Sequence, residues 1–375
     1  MNQGFYLTLM VGSFTADPVP QAVIDALTTV NVTTAIGQQG GFDLSFTYAK
    51  SGPLAQLLMS GYFDPRRRVI IAVTVNGSTE VLMDGIITKQ DLTPSSQAGK
   101  STLKITGIDL TELMDFIDLT GIPYPALPMF AIVELILAKY LVLGVVPLAI
   151  PPIITTIQNP IEKSLKQVGT DYAYVTQLAN QTGSVFYLDP GPEPGMSLAY
   201  WGPDLTKIFS GTQPALSIDL DATTNVDSLS FSYDGTVSKQ YFVTILIDEL
   251  KVPIPIPVPS IDQILPFHAA HAAARLKTTP LLPISHKKPW DAALEVLGKL
   301  TQIADAVTGS GTLDVTRYGQ TLKARQLCAV RGAGDYYDGI YYVKSVSHAI
   351  KRGEYKQNFS LGRGGYGSTI DTVSA

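Results

Sequence analysis

The stretch of sequence that decides the fold runs from residue 339 to residue 361 and reads GIYYVKSVSHAIKRGEYKQNFSL. Residues 339–346 are rich in Tyr and Val, whose side chains suit a β-strand. A charged segment with one glycine, KRGE at 351–354, comes next, and the alternate residues of the segment 355–361 are Tyr, Gln, Phe and Leu. Alternation with a period of two indicates a strand with one buried face, so the stretch predicts a long β-hairpin.

The first third of the chain has the same character. Residues 42–48 (FDLSFTY) alternate strictly between apolar and polar side chains. Residues 68–75 form a β-branched run, Asn-Gly follows at 76–77, and 80–87 is apolar again. Asn-Gly between two such runs is a strong signal of a hairpin turn. We therefore predict that residues 1–125 form a first β-barrel domain.

The middle of the chain mixes helices with strands. Residues 129–143 are apolar enough for a buried helix, and Thr170-Asp171 begins a second helical pattern that Gly183 ends. Two short β-type runs follow it. These patterns predict a small mixed α/β domain over residues 126–212.

Strands return after residue 213, and they predict a second β-barrel domain made of 213–249 together with 312–363. The segment 250–311 interrupts it with prolines at alternate positions 253–259, which favour a polyproline conformation. An amphipathic pattern over 290–307 predicts a helix that ends at the glycines 309 and 311. The predicted fold is therefore α+β but mainly β, with two similar barrels, a helical insertion in the second one, and a tail at 364–375.

Composition excludes several classes of protein. Charged residues make up 16% of the chain, against about 25% in an ordinary soluble protein. The net charge of −5 argues against general affinity for nucleic acid. The apolar stretch 126–157 contains Glu134, Lys139 and four prolines, so it predicts no membrane span. Low charge then predicts burial between subunits, with poorly soluble isolated protomers.

Further features point to an intracellular, non-secreted chain. Cys328 is the only cysteine, which excludes a disulfide scaffold and is compatible with a cytoplasmic origin. The first residues lack a basic region and a cleavage site, so we expect no secretory signal.

Candidate catalytic chemistry is sparse. His268 and His271 are three residues apart, which would place them on one helical face, but a zinc site needs a third or fourth ligand. We keep the two histidines as weak metal candidates and predict no metal, no cofactor and no enzymatic activity. The alternatives are a metal-dependent hydrolase that uses this pair, and a β-rich binding module that works alone.

Candidate contact residues come from three places in the sequence. The basic loop supplies a local positive charge, the apolar helix supplies large side chains, and the end of the last strand supplies a cation and an aromatic ring. They are Arg66, Arg67, Arg68, Phe130, Ile132, Leu135, Arg363 and Tyr366.

The last hairpin carries a family resemblance. The runs YYDGIYYVKSVSHAI (336–350) and GEYKQNFSL (353–361) resemble the C-terminal strands of phage late control gene D proteins. That family includes the baseplate hub of contractile tails and the hub part of VgrG proteins. Residues 170–202 are similar to the family's central region, and 42–46 and 82–87 to its first barrel.

The resemblance implies a structural hub. In such hubs two similar barrels per chain trimerise into a ring, which adapts a sixfold inner tube to a threefold spike. The implied partners are two further copies of the chain, the inner tube protein, other baseplate proteins and a spike. Because the chain ends at Ala375, we expect the spike to be a separate protein. Assembly is expected in the cytoplasm of the producing bacterium or phage host, and the hub then becomes part of the injection particle or virion.

Overall fold

The structure is a computed structural model of the 375-residue chain. It describes residues 4–97, 100–151, 165–204, 211–236, 239–247, 252–258, 269–273, 277–280 and 305–368.

Strands dominate the described residues. Up to residue 109 the elements are β1 (Phe5–Gly12), β2 (Ala16–Pro18), α1 (Gln21–Ala26), β3 (Leu27–Ala35), β4 (Gly41–Tyr48), α2 (Pro53–Met59), β5 (Arg68–Val75), β6 (Ser78–Thr93) and β7 (Ser101–Asp109). The middle part holds β8 (Pro123–Tyr124), α3 (Met129–Ala138), β9 (Val145–Ala149), β10 (Leu165–Lys166), α4 (Asp171–Thr182), β11 (Ser184–Pro190) and β12 (Ser197–Pro203), with short 3-10 helices at Leu110–Asp115 and Leu141–Leu143.

The last part of the chain is again mostly strand. Its elements are β13 (Thr212–Ser217), a 3-10 helix (Asp221–Thr223), β14 (Val226–Tyr233), β15 (Lys239–Ile247), β16 (Val252–Val258), β17 (His271–Ala272), β18 (Lys277–Pro280), β19 (Val307–Asp314), α5 (Val315–Tyr318), β20 (Leu327–Arg331), β21 (Gly339–Lys351), β22 (Glu354–Arg363) and β23 (Gly365–Tyr366). The mainly β fold class is thus confirmed, and the predicted hairpin is the pair β21–β22.

One sheet of 13 strands contains both predicted β units. Its main path runs β14-β19-β22-β21-β3-β4-β7-β6-β5-β1-β2, with β13 and β20 attached beside β21. Antiparallel pairing of β21 with β3 joins the second unit to the first. Among the described strands the hydrogen-bonded path is open, so no closed barrel forms there, in contrast to the two predicted barrels.

The sheet curls around a single hydrophobic core. The ring of Phe5 on β1 lies 5.3 Å from that of Tyr355 on β22, although the two strands are far apart in the sheet order. Side chains from both units, among them Phe46, Phe63 and Tyr341, are fully buried in the same cluster. The two β units therefore share their core.

The middle elements pack around a second core centred on Trp201. Trp201 is buried and its Nε1 donates to the carbonyl of Val175 on α4 at 3.2 Å. α4 begins and ends as the sequence predicts: the Thr170 side chain accepts from the Ala173 amide, and Gly183 ends the helix at a φ of 65°. β11, β12 and β9 form a separate three-stranded sheet.

One predicted helix is shorter than the sequence indicated. The helix predicted over 129–143 ends at Ala138, and a 3-10 turn leads to Gly144. Gly144 has a φ of 80°, and a Cβ there would lie 2.0 Å from the Gly195 carbonyl oxygen, so the chain must turn at a glycine.

The helix predicted over 290–307 lies mostly outside the described residues, and its last residue, Val307, begins β19 instead. The glycines 309 and 311 lie within this strand rather than at a helix end. A Cβ on Gly309 would meet the Phe231 ring at 2.9 Å, and one on Gly311 would meet the Phe359 ring at 2.7 Å. The glycines therefore leave room for aromatic side chains of the neighbouring strands.

The polyproline prediction for residues 253–259 was wrong for the part that is described. β16 pairs antiparallel with β15, with Pro255 opposite Thr244 and Pro257 opposite Phe242. In such a ladder every second residue directs its N–H toward the same neighbour, so prolines at alternate positions can all face away from β15. β16 is an edge strand of its described sheet, where proline is tolerated.

Candidate functional site

The join between the two β units is a continuous ladder. Residues 345–351 of β21 pair with residues 29–35 of β3 in reverse order. His348, which is one of these β21 residues, is buried, and its Nδ1 lies 2.7 Å from the Tyr355 hydroxyl. Burial lowers the pKa of His348 to about 3, so this histidine is neutral at physiological pH.

A second contact ties the β5–β6 hairpin to the loop after α5. Asn76 donates to the Gly319 carbonyl at 2.9 Å, and Lys323 forms an ion pair with Glu80 at 3.2 Å. Thr321 also donates to Glu80. The two β units are therefore held together at both the ladder and this loop.

Arg68 couples the first β unit to the middle elements. Its guanidinium binds Asp84 through two hydrogen bonds, of 2.8 and 2.6 Å. It also donates to the carbonyls of Leu143 at 2.8 Å and Gly195 at 3.1 Å. Burial raises the pKa of Asp84, and the bonds from Arg68 oppose that rise. Arg68 is thus a buried structural residue and not part of an exposed positive loop.

Arg325 makes the corresponding connection from the second β unit. It forms an ion pair with Asp189 on β11, and its guanidinium lies 4.1 Å from the centroid of the Tyr187 ring. It also donates to the Ala35 carbonyl on β3 at 3.2 Å. Sequence reasoning missed Arg325 and Asp84, since the partners are far apart in the chain and no local pattern marks them.

Arg363 and Tyr366 belong to an aromatic cluster near the end of the described chain. The Tyr366 ring stacks on Tyr336 at 4.8 Å and lies 5.3 Å from the His271 ring. Arg363 is buried below the cluster, 4.4 Å from the centroid of Tyr341. Arg363 and Tyr366, which the sequence analysis proposed as contact residues, are thus neighbours in the structure, but only Tyr366 is partly exposed.

The remaining predicted contact residues separate into exposed and buried ones. Arg66 is exposed and lies 4.8 Å from the Phe116 ring, while Arg67 is half-buried and donates to Ser13 and to the Gly61 carbonyl. On α3, Ile132 is fully buried and Phe130 half-buried in the second core, so neither side chain stands free for a partner. Leu135 is 52% exposed.

Leu135 is one of several exposed apolar side chains on the middle elements. We call this group the middle apolar surface: it follows the chain from α3 through the 3-10 turn to β9 and consists of Leu135, Leu141, Val142, Val146 and Leu148. Val142 is 75% exposed, the largest fraction in the group. Exposed apolar side chains that form a continuous patch are typical of a surface that contacts another protein.

The predicted histidine pair is not a metal site in the described part of the chain. His268 lies outside the described residues, and His271 is on strand β17 and not on a helix. Within the residues described, no three His, Cys, Asp or Glu side chains come together as metal ligands would. The described helices also include none that is long and apolar enough to cross a bilayer.

Sequence comparisons and structure comparisons give different results. No protein-family model matches the chain, and no curated protein matches it in sequence. A tail protein from Neisseria meningitidis is similar in structure, with a TM-score of 0.59 and 14% identity over 96% of both chains. The chain has the fold of phage tail proteins.

Two further solved structures extend this similarity. The 43 kDa tail protein of prophage MuSo2 from Shewanella oneidensis matches with a TM-score of 0.57 and 14% identity, over 95% of this chain and 96% of that one. A Francisella PdpA-VgrG complex matches with a TM-score of 0.61 and 9% identity, over 100% of this chain and 60% of the other. The tail-protein fold that the last hairpin implied is thus confirmed.

Proposed function

We propose that this chain is a structural hub subunit in the baseplate of a contractile phage tail or contractile injection particle. The observation that carries the proposal is the fold match with a tail protein over 96% of both chains. The role requires shape and contact surfaces and no reacting groups, so we propose no catalytic activity.

Two β units within one sheet suit a ring of three chains. Each chain contributes one unit built around β3–β7 and one built around β19–β22, held together by the β21–β3 ladder. Three chains would then present six similar units around an axis, and that arrangement can match a sixfold tube on one side and a threefold spike on the other. The inner tube protein, the spike and other baseplate proteins are the proposed partners.

The middle apolar surface is the proposed contact between subunits. Burial of exposed apolar side chains stabilises association by about 25 cal/mol per Å² of apolar area. Permanent interfaces are more apolar than ordinary surfaces, which agrees with a chain that has only 16% charged residues. We propose that a second copy of the chain covers this surface.

The proposal is tested by the mass and shape of the purified full chain. Light scattering should give three times the 40.3 kDa of one chain, and electron microscopy should show a ring with a central hole. Addition of its tube and spike partner proteins should place the ring between them. A stable monomer that binds neither protein would contradict the proposal and would favour the stand-alone binding module.

A further inference from the structure

The outer face of the sheet carries two straight rows of short, uncharged polar side chains. The first row crosses five strands in direct register, from β14 to β3: Ser228, Thr312, Asn358, Ser347 and Thr33. The second row lies beside it and crosses four strands: Ser230, Ser310, Ser360 and Ser345. We call these nine residues the hydroxyl band, in which Asn358 is the one amide.

The side chains of the band bind each other. Ser230 and Ser310 are 3.0 Å apart, and Ser345 and Ser360 are 2.6 Å apart, in each case between hydroxyl oxygens. In the first row, Thr312 donates to Asn358 at 2.8 Å, and the hydroxyls of Thr33 and Ser347 are 3.0 Å apart. The band therefore satisfies much of its own hydrogen bonding and does not need a bound partner.

Charged side chains border the band: on the neighbouring strands β4 and β7, Asp43 pairs with Lys104 at 3.1 Å, and further pairs lie at both ends of the strands that carry the rows. At one end Lys356 pairs with Asp227 at 3.4 Å, and at the other Lys344 pairs with Asp305 at 2.9 Å. Five neighbouring strands at about 4.8 Å spacing make the uncharged band about 20 Å wide.

The composition of the band differs from that of two ordinary surroundings. A surface that faces bulk water is usually about 25–35% Lys, Arg, Glu and Asp, and the band has none of these. A permanent subunit interface is anchored by aromatic side chains, Met or Arg, and the band has none of these either. A face that meets water in a confined space needs neither charged side chains nor apolar anchors.

The band is also continuous across the two β units. Four of its five strands belong to the second unit, and Thr33 lies on β3 of the first unit, beside Ser347. The band therefore continues without interruption across the β21–β3 ladder.

We infer that the hydroxyl band lines the central lumen of the ring as an uncharged, hydrated wall. This inference rests on the proposed function, because it requires the ring. Such a wall would let a polymer pass through the lumen without binding it, because it offers neither charged groups nor apolar area that would attract the polymer strongly.

A single introduced cysteine tests the inference in the full chain. The natural Cys328 is buried, and burial raises the pKa of its thiol to about 12, so it should not react with a maleimide at neutral pH. Ser230→Cys places one thiol in the band, and Ser310→Cys repeats the test on the next strand. Ser51→Cys, in an exposed turn outside the sheet, is the control for reactivity.

The labelling is done on rings whose mass has first been measured. A small maleimide should label Cys at position 230 at a rate similar to that at position 51, whereas a bulky polymer-linked maleimide should react at least ten-fold more slowly at position 230. A gold-labelled maleimide at position 230 should give density on the lumen side of the ring in electron micrographs.

Three results would overturn the inference. Failure of both reagents at position 230 would show that a subunit contact buries the band. Equal reaction with the bulky reagent and gold density at the periphery would place the band on the outside. The absence of any ring would instead reject the proposed function itself, and the mass measurement distinguishes that case from the other two.

Discussion

At the scale of single residues, the structure depends on a few buried charges that connect distant parts of the chain. Besides the two carboxylate oxygens of Asp84, the Arg68 guanidinium donates to three carbonyls, those of Phe14, Leu143 and Gly195. A guanidinium suits this position because its donors point in several directions in one plane. Lysine could not replace it, since an ammonium group cannot bind a carboxylate in the same bidentate way.

Arg68→Met should destabilise the chain strongly. The substitution leaves the Asp84 carboxylate buried without its cation, and loss of one partner of a buried pair costs about 3–5 kcal/mol. Urea unfolding followed by intrinsic fluorescence measures the change. Arg66→Met is the matched control, because Arg66 is exposed, and its loss should cost about 1 kcal/mol or less. Equal effects of the two substitutions would contradict the structural role of Arg68.

His348 predicts a pH dependence of stability. Its pKa is about 3 in the folded chain and about 6.5 when exposed, so between these values only the unfolded chain takes up the proton. Folding stability should therefore fall as the pH decreases from 6.5 toward 3, by about 1.4 kcal/mol per pH unit. This contribution is fully present above pH 6.5.

The variant His348→Asn isolates this effect. Its amide oxygen can accept from Tyr355 in place of Nδ1, but it does not titrate. Between pH 6.5 and pH 4.5 the natural chain should lose about 2–3 kcal/mol more stability than the variant, as measured by urea unfolding at each pH. Identical slopes for both chains would exclude a neutral buried histidine.

At the scale of elements, strand β19 is set by the side chains of its neighbours. Its glycines face the core, where Phe231 and Phe359 occupy the space that a side chain would need. The serine and threonine residues between them face outward. Glycines in a strand interior are unfavourable for the strand itself, so close packing of aromatic rings is what makes them useful here.

Gly311→Val should destabilise β19 even though valine favours strands. A Cβ at this position would lie 2.3 Å from the Ser228 carbonyl oxygen and 2.7 Å from the Phe359 ring, so the neighbouring strands must move apart. Overpacking of this kind costs about 1–3 kcal/mol. Thermal unfolding should show a lower midpoint for Gly311→Val, while Ser310→Thr on the outward face should be nearly neutral. A neutral Gly311→Val would mean that β19 is not packed in this way.

At the scale of the whole molecule, the proposed assembly would account for the low charge of the chain through three separate regions. One large core serves both β units, the middle apolar surface is the proposed contact with another copy, and the hydroxyl band carries neutral polar side chains in place of charged ones. Only the last two surfaces depend on assembly, so variants can separate them.

Val142→Glu should prevent association of subunits without unfolding them. Val142 is 75% exposed, so a glutamate there is solvated in the isolated chain but would be buried in the proposed interface. Light scattering should give one chain mass for this variant, with an unchanged circular dichroism spectrum. Met59→Glu is the control, because Met59 is 90% exposed but lies outside the middle apolar surface. A trimer of Val142→Glu would exclude this surface as the contact.

The local elements of the fold were accessible from the sequence. Alternation over 42–48 and 355–361, the Asn76-Gly77 turn and the capped helix at Thr170 each predicted the observed element, because period, turn chemistry and caps are local properties. The hydroxyl band also left a signal, since serine recurs at alternate positions of β14. The prolines of β16 led to a wrong prediction of a polyproline conformation, because their spacing suits both a polyproline segment and an edge strand.

The sequence by itself therefore determined the strands, the hairpins and the resemblance to tail proteins, and only the tertiary structure decided how they join. The pairing of β21 with β3, the bond from Arg68 to Gly195 across 127 residues and that from Arg325 to Ala35 across 290 residues have no local signature. The physical reason is that periodicity shows which face of a strand is buried, whereas the choice of neighbouring strand depends on the packing of the whole core.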